Sequence, residues 1–149
     1  YSSSMGRLFD AIASIIGIMD RSTYEGQAAM QLEEAARRFL KEKHPQGSYL
    51  TASGELDYSR IASDVKKEQS AEEIAARFHI TLVDLIDFRA QKSQCKALAF
   101  SGGVFQNALL IDLIHDRLSA QYTLYFHQQF SPNDENISFG QLALYSNQL

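Results

Sequence analysis

The sequence holds one cysteine, two prolines and no tryptophan, and each scarcity narrows what the chain can be. A lone thiol, Cys95, cannot close an internal disulfide, and no cysteine and histidine residues stand at structural zinc spacing, so a reducing, cytoplasmic compartment is expected. Cys95 precedes an apolar run, which predicts a small, buried or half-buried packing residue rather than a reactive thiol. Few prolines beside nine Phe and seven Tyr speak against disorder, because the aromatic area is enough to offset the entropy of ordering. No apolar run reaches the roughly 18 to 20 residues of a bilayer span, and the first residues lack the basic-then-apolar layout of a signal peptide. Excess positive charge is missing too: the formal net charge is −4, which gives no electrostatic reason to expect a nucleic acid or an anionic membrane as partner.

What is present suits one core. A chain of 149 residues with 45% apolar composition predicts a single domain over 1–149. It opens Tyr1-Ser2-Ser3-Ser4 and enters a helical pattern at once, so it is read as a piece of a longer protein. Met5, Leu8, Phe9, Ile12 and Ile16 recur at helical spacing behind Ser3 or Ser4 as cap, which predicts a helix ending near Gly17. A second helical pattern runs through Leu32, Ala35, Ala36 and Phe39 and stops before Pro45. Tyr49-Leu50-Thr51 and Glu55-Leu56-Asp57 flank Ser53-Gly54, which predicts a short hairpin, and a short helix is expected over 59–67. Ser70-Ala71-Glu72-Glu73 has the capping-box arrangement and should open the longest helix, through Ile74, Phe78, Leu82 and Ile86. Buried-strand runs at 96–100 and 122–126 bracket a helical pattern through Leu109, Leu113 and Leu118, which makes this part α/β with a parallel strand-helix-strand unit. A polar loop, 127–136, leads to a last helix over about 137–145.

Two loops can carry chemistry. Phe100-Ser101-Gly102-Gly103-Val104 lies between a strand and a helix, where glycines let the backbone turn sharply and unpaired amides attract anions; it serves equally as a phosphate site or as a plain turn. It lacks the lysine of a Walker loop and the three-glycine dinucleotide pattern. Ser131-Pro132-Asn133-Asp134-Glu135-Asn136 follows the second strand and so belongs at the same carboxyl end of the sheet. Asp134 there offers an oxygen ligand to a metal, or simply shapes a turn that caps the last helix. His79 reads as a half-buried packing residue, and Glu33, Glu34, Arg37 and Arg38 as a solvated helix face.

Five stretches in order resemble the hydrogenase-maturation carbamoyltransferases known as HypF. They are residues 2–11, Tyr24-Glu25-Gly26-Gln27-Ala28-Ala29, Ile74-Ala75-Ala76-Arg77-Phe78-His79, Phe100-Ser101-Gly102-Gly103-Val104-Phe105-Gln106-Asn107, and Pro132-Asn133-Asp134 followed by Ile137-Ser138-Phe139-Gly140-Gln141. The resemblance implies a helix-rich partial lobe of the actin/sugar-kinase (ASKHA) type fold, the carboxyl-terminal lobe of a larger transferase domain related to the enzymes that form threonylcarbamoyladenosine in tRNA. It also implies a reaction in which the carbamoyl group of carbamoyl-adenylate, made elsewhere in the protein from carbamoyl phosphate and ATP, passes to the carboxyl-terminal cysteine of a HypE-type partner during nickel-iron hydrogenase maturation. The isolated piece is expected to be inactive in that reaction. By the resemblance Gly102, Gly103 and Asn107 hold the nucleotide phosphate, Asp10 with Gly26 and Gln27 faces the ribose hydroxyls, and Asp134 is the one ligand of this lobe to a divalent metal, zinc or iron, bound mainly by upstream histidines. Glu135-Asn136 stands where relatives continue with Gly-Gly, and Gln31 where they commonly have Glu. These departures motivate one alternative, a non-catalytic nucleotide-binding or assembly module; an O-carbamoyltransferase of the same superfamily, which shares the scaffold, is another. An unpaired sheet edge would further favour self-association of the fragment.

Overall fold

A computed structural model describes residues 4–146. Ser2 and Ser3 of the first family stretch lie outside the described residues. The order is α1 (Met5–Ile15), α2 (Gln27–Leu40), α3 (Tyr58–Lys66), α4 (Ala71–Lys92), β1 (Ala97–Ala99), α5 (Ala108–Leu118), β2 (Thr123–Tyr125) and α6 (Ile137–Ser146), a helix-rich α/β architecture. Single 3₁₀ turns, Gly103–Gln106 and Asp134–Asn136, precede α5 and α6.

The core is helical and centred on α4. Residues 74–79 are all buried, because α2 packs along one side of the helix and α3 and α5 against others. A helix covered on several sides needs apolar or small residues around its whole circumference, which Ile74, Ala75, Ala76 and Phe78 supply. From α2, Ala28, Leu32, Ala35 and Ala36 are buried; the three alanines let the backbone approach closely. α1 adds Phe9, Ile12 and Ala13, with Phe9 meeting Phe78 edge-on at 5.2 Å between ring centres.

The expected hairpin forms as a single antiparallel bridge, Leu50 with Leu56, closed by Thr51 N donating to Glu55 O at 2.8 Å. Its Gly54 is required twice over. The residue sits at φ +79°, and a Cβ there would lie 2.1 Å from the Phe88 ring. Behind the hairpin, Tyr49 Oη donates to Asp64 Oδ2 at 2.9 Å, and Arg77 pairs with both Asp64 and Glu73. Thr81 Oγ1 accepts from Tyr49 N and donates to Arg77 O, so α3, α4 and the hairpin are tied by one buried polar network. Burial and the neighbouring Asp64 carboxylate push the Tyr49 hydroxyl well above its ordinary pKa.

That network alters the expected capping box. Ser70 Oγ accepts from Glu73 N at 3.1 Å, but the Glu73 carboxylate turns to Arg77 Nη2 at 2.6 Å instead of reaching back to Ser70. A buried guanidinium must have a partner, whereas an exposed first-turn amide is satisfied by water.

The two strands pair in parallel with Ala97 opposite Thr123, Leu98 opposite Leu124 and Ala99 opposite Tyr125. Contrary to the expectation of buried strands, only Leu98 and Leu124 turn toward the core; Ala97, Ala99, Thr123 and Tyr125 are exposed. A sheet of two strands covered on one face reads as alternation, whatever the hydrophobicity of its residues. Cys95, expected to be buried or half-buried, is exposed just ahead of β1. Among the described residues no helix is long and apolar enough to cross a membrane.

Candidate functional site

The two chemistry-bearing loops meet at the carboxyl end of the parallel pair. Gly102 N donates to Pro132 O at 2.7 Å, Gln106 Nε2 to Ser131 Oγ at 3.2 Å, and His127 Nε2 lies 3.1 Å from Ser101 Oγ. The rings of Phe100 and Phe126, the residues that follow the two strands, stack 4.8 Å apart. Gly102 bends the chain at φ +108°, a region that side-chain-bearing residues avoid, and a 3₁₀ turn follows before α5 begins. The diglycine is therefore one turn removed from the helix rather than its first residue. Phe105 N closes the turn on Gly102 O at 3.0 Å. The amides of Gly103 and Val104 have no protein acceptor among the described residues, and a Cβ at Gly103 would meet open space.

Of the residues assigned to the phosphate, Gly102 thus spends its amide on the second loop, and Gly103 presents a free one. Asn107 lies inside the protein, 8% exposed. As N-cap of α5 its Oδ1 accepts from Leu110 N at 2.8 Å, while its Nδ2 lies 3.0 Å from His79 Nε2. Both ends of the amide are engaged.

Asp10 is exposed on α1, a helix that packs on α2 and touches the 3₁₀ turn, so its carboxylate is borne on the same body as the diglycine loop. Gly26, at φ +80°, is the N-cap position of α2. Gln27 Oε1 accepts from Thr23 N at 2.6 Å and from Thr23 Oγ1 at 3.1 Å, which ties down the loop ahead of α2. Gln31 is exposed beside Met30, Glu34 and Arg37 in a shallow groove on α2.

Asp134 opens the 3₁₀ turn ahead of α6 with its carboxylate exposed, and Asn133 Oδ1 caps that turn by accepting from Glu135 N at 3.2 Å. Asn136 donates through Nδ2 to Ser131 O. Neither Glu135 nor Asn136 takes a positive φ, so their side chains meet no left-handed backbone in this loop. Among the described residues no group of three His, Cys, Asp or Glu side chains comes together as a metal site. Asp134 alone does not make one.

Two features escaped the sequence. Glu33 and Arg37 are not a purely solvated face: Glu33 Oε1 accepts from Leu109 N at 3.1 Å, a second cap on α5, and Arg37 bridges Glu33 and Asp112. His79 is not half-buried but fully so, with Nδ1 2.8 Å from Ala75 O and its ring edge-on to Phe9. Burial pushes its pKa down to about 4, which leaves the ring neutral. Hydrogen-bond partners 28 and 76 residues apart leave no local sequence signal.

The comparisons with known proteins fall on this geometry. The family described as "Carbamoyltransferase, Kae1-like Domain, second subdomain" matches residues 1–141. Carbamoyltransferase HypF of Synechocystis sp. is 36% identical over 146 residues, 95% of this chain and 19% of that protein. A probable carbamoyltransferase HypF of Methanocaldococcus jannaschii is 28% identical over 97% of this chain and 20% of that protein. The solved structure of T. kodakarensis HypF superimposes with a TM-score of 0.78 at 29% identity, covering 97% of this chain and 20% of that one. A full-length HypF solved in its phosphate- and nucleotide-bound form gives a TM-score of 0.77 at 29% identity, covering 99% and 21%. The chain spans about a fifth of the length of these relatives. It belongs to the HypF carbamoyltransferase family, as the second subdomain of the Kae1-like domain.

Proposed function

We propose that this subdomain forms one wall of the nucleotide site in a carbamoyltransferase that moves the carbamoyl group of carbamoyl-adenylate to the carboxyl-terminal cysteine of a HypE-type partner in nickel-iron hydrogenase maturation. The observation that carries the proposal is the Gly102 N to Pro132 O bond, which brings the diglycine turn and the Asp134 loop to one end of the sheet. The phosphate- and nucleotide-bound state of a structural relative supports it.

In this reading the free amides of Gly103 and Val104 face the adenylate phosphate, while Gly102 and Asn107 shape the turn that presents them. Asp10 accepts hydrogen bonds from the ribose diol, helped by the Gly26–Gln27 turn. When the partner's sulfur attacks the carbamoyl carbon, the carbon–oxygen bond to the adenylate breaks, AMP leaves and the thiol proton is lost to solvent or base. Fixed amides at the phosphate stabilise the negative charge of that leaving group. Asp134 would offer one oxygen ligand to a divalent metal, zinc or iron, whose other ligands would lie outside this chain.

The test is calorimetric titration of the chain with AMP. Gly103→Ala places a methyl in open space at a position without positive φ, so the fold should tolerate it while the phosphate is blocked. Weaker AMP binding in Gly103→Ala and Asp10→Ala at unchanged melting temperature is the expected result. Equal affinity in wild type and both variants would remove the site assignment. The reading as a non-catalytic assembly module is favoured by Glu135, an added negative charge beside the loops. A full-length protein that gains no activity on restoring Gly-Gly at 135 and 136 would remove that support.

A further inference from the structure

His79 projects from α4 against α1 and the start of α5 without access to solvent, and its hydrogen bonds leave it one arrangement. Ala75 O is an acceptor only, so the nitrogen facing it at 2.8 Å, Nδ1, must carry the proton. Leu110 N donates to the Asn107 side chain, which fixes that amide with its oxygen toward the helix and its nitrogen toward His79. Nε2 of His79 then accepts from Asn107 Nδ2 at 3.0 Å. Asn107 in turn closes the diglycine turn through its own N, which donates to Val104 O at 3.2 Å, and its carbonyl accepts from Ile111 N as α5 begins.

We propose that His79 is a positioning residue for the phosphate-facing turn: acting through the Asn107 side chain, it holds the segment from Gly102 to Gln106 in the orientation that presents the Gly103 amide. This rests on the reading of that turn as the nucleotide site. The groups facing the ring are Phe9 from α1, Ala75 and Phe78 from α4 and Asn107 from α5, with the charges of Glu33 and Arg37 on α2 acting at longer range. A ring serving only as filler would need none of these directed bonds.

The experiment uses the ¹⁵N-labelled chain, His79→Phe, His79→Gln and Asn107→Asp. Phenylalanine keeps the ring and its aromatic contacts but accepts nothing, whereas glutamine restores an acceptor. In His79→Phe the amides of Asn107 and Leu110 should exchange about tenfold faster relative to core amides such as Leu32 and Val83, and AMP should bind about tenfold more weakly, the effect of one lost buried hydrogen bond. His79→Gln should recover most of both. Asn107→Asp keeps the acceptor for Leu110 but turns the donor to His79 into a second acceptor, so the ring should take up a proton near neutral pH, visible in its ¹⁵N shifts even if the phenylalanine variant fails to fold.

Uniform acceleration of all amides, no recovery in the glutamine variant, or an unchanged ring in Asn107→Asp would each overturn the proposal. Should AMP bind neither wild type nor variants, the nucleotide reading fails while the exchange and ring spectra still decide whether His79 holds the turn. AMP affinity unchanged in His79→Phe, with exchange accelerated, would overturn the positioning role and leave the nucleotide reading intact.

Discussion

Acidification should unfold this protein earlier than its carboxylates alone require, because His79 must stay neutral to remain buried. The ring's pKa of about 4 in the fold compares with 6.5 in a model peptide, and burial is the main cause. The sign follows from proton counts: below pH 6.5 the unfolded chain binds a proton that the folded chain refuses, so stability falls with falling pH until the folded ring titrates near 4. Each unit in that window costs about 1.4 kcal/mol, which gives ~2 kcal/mol lost by pH 5 and ~3 kcal/mol by pH 4. Such a loss is a large share of the 5 to 15 kcal/mol typical of a domain of this kind. Urea unfolding between pH 7.5 and 4.5, followed by circular dichroism, measures it, and His79→Gln removes the titrating group while leaving the acid-sensitive carboxylates in place. The wild-type curve should fall away from the variant's below pH 6.5. Parallel curves down to pH 5 would refute the claim that the buried ring is neutral, and with it the assigned tautomer.

Three further outcomes are expected. Gly54→Ala forces a side chain into both a positive φ and the Phe88 ring, and should destabilise by about 2–4 kcal/mol in urea unfolding, whereas alanine at Gly103 should cost little. Asp64→Ala leaves the Arg77 guanidinium, whose Nε already lacks a partner, with Glu73 as its one carboxylate and takes the acceptor from the Tyr49 hydroxyl, and should cost about 3–5 kcal/mol; loss of less than about 1 kcal/mol would mean that water reaches the network. Sedimentation velocity at rising concentration should show association of the isolated chain, because Phe139, Leu142, Leu144 and Tyr145 on α6 are all more than half exposed and the strand pair leaves edges unpaired. A monomeric mass throughout would count against that surface as sticky.

Periodicity alone placed α1, α2 and α4, since helical spacing of apolar residues is a local property written within a few turns. The diglycine between a strand and a helix, and the polar loop after the second strand, were likewise legible, and parallel pairing then put them at one end. Local pattern could not decide which of several possible partners a polar group takes. Glu73 had a capping role available within its own turn, yet the fold gives its carboxylate to Arg77; Glu33 and Arg37 looked solvated, yet they secure α5. The resemblance assigns Asn107 to the phosphate, and the fold engages its side-chain amide with His79 and Leu110. The partner is four residues away for Glu73 but 76 away for Glu33 and 28 away for Asn107, and the pairing follows burial, because a polar group shut away from solvent must be paired while an exposed one need not be. The residues therefore determine which helices form and where the loops are polar or glycine-rich. Only packing, by deciding which groups lose access to water, determines which side chains are left free for a ligand.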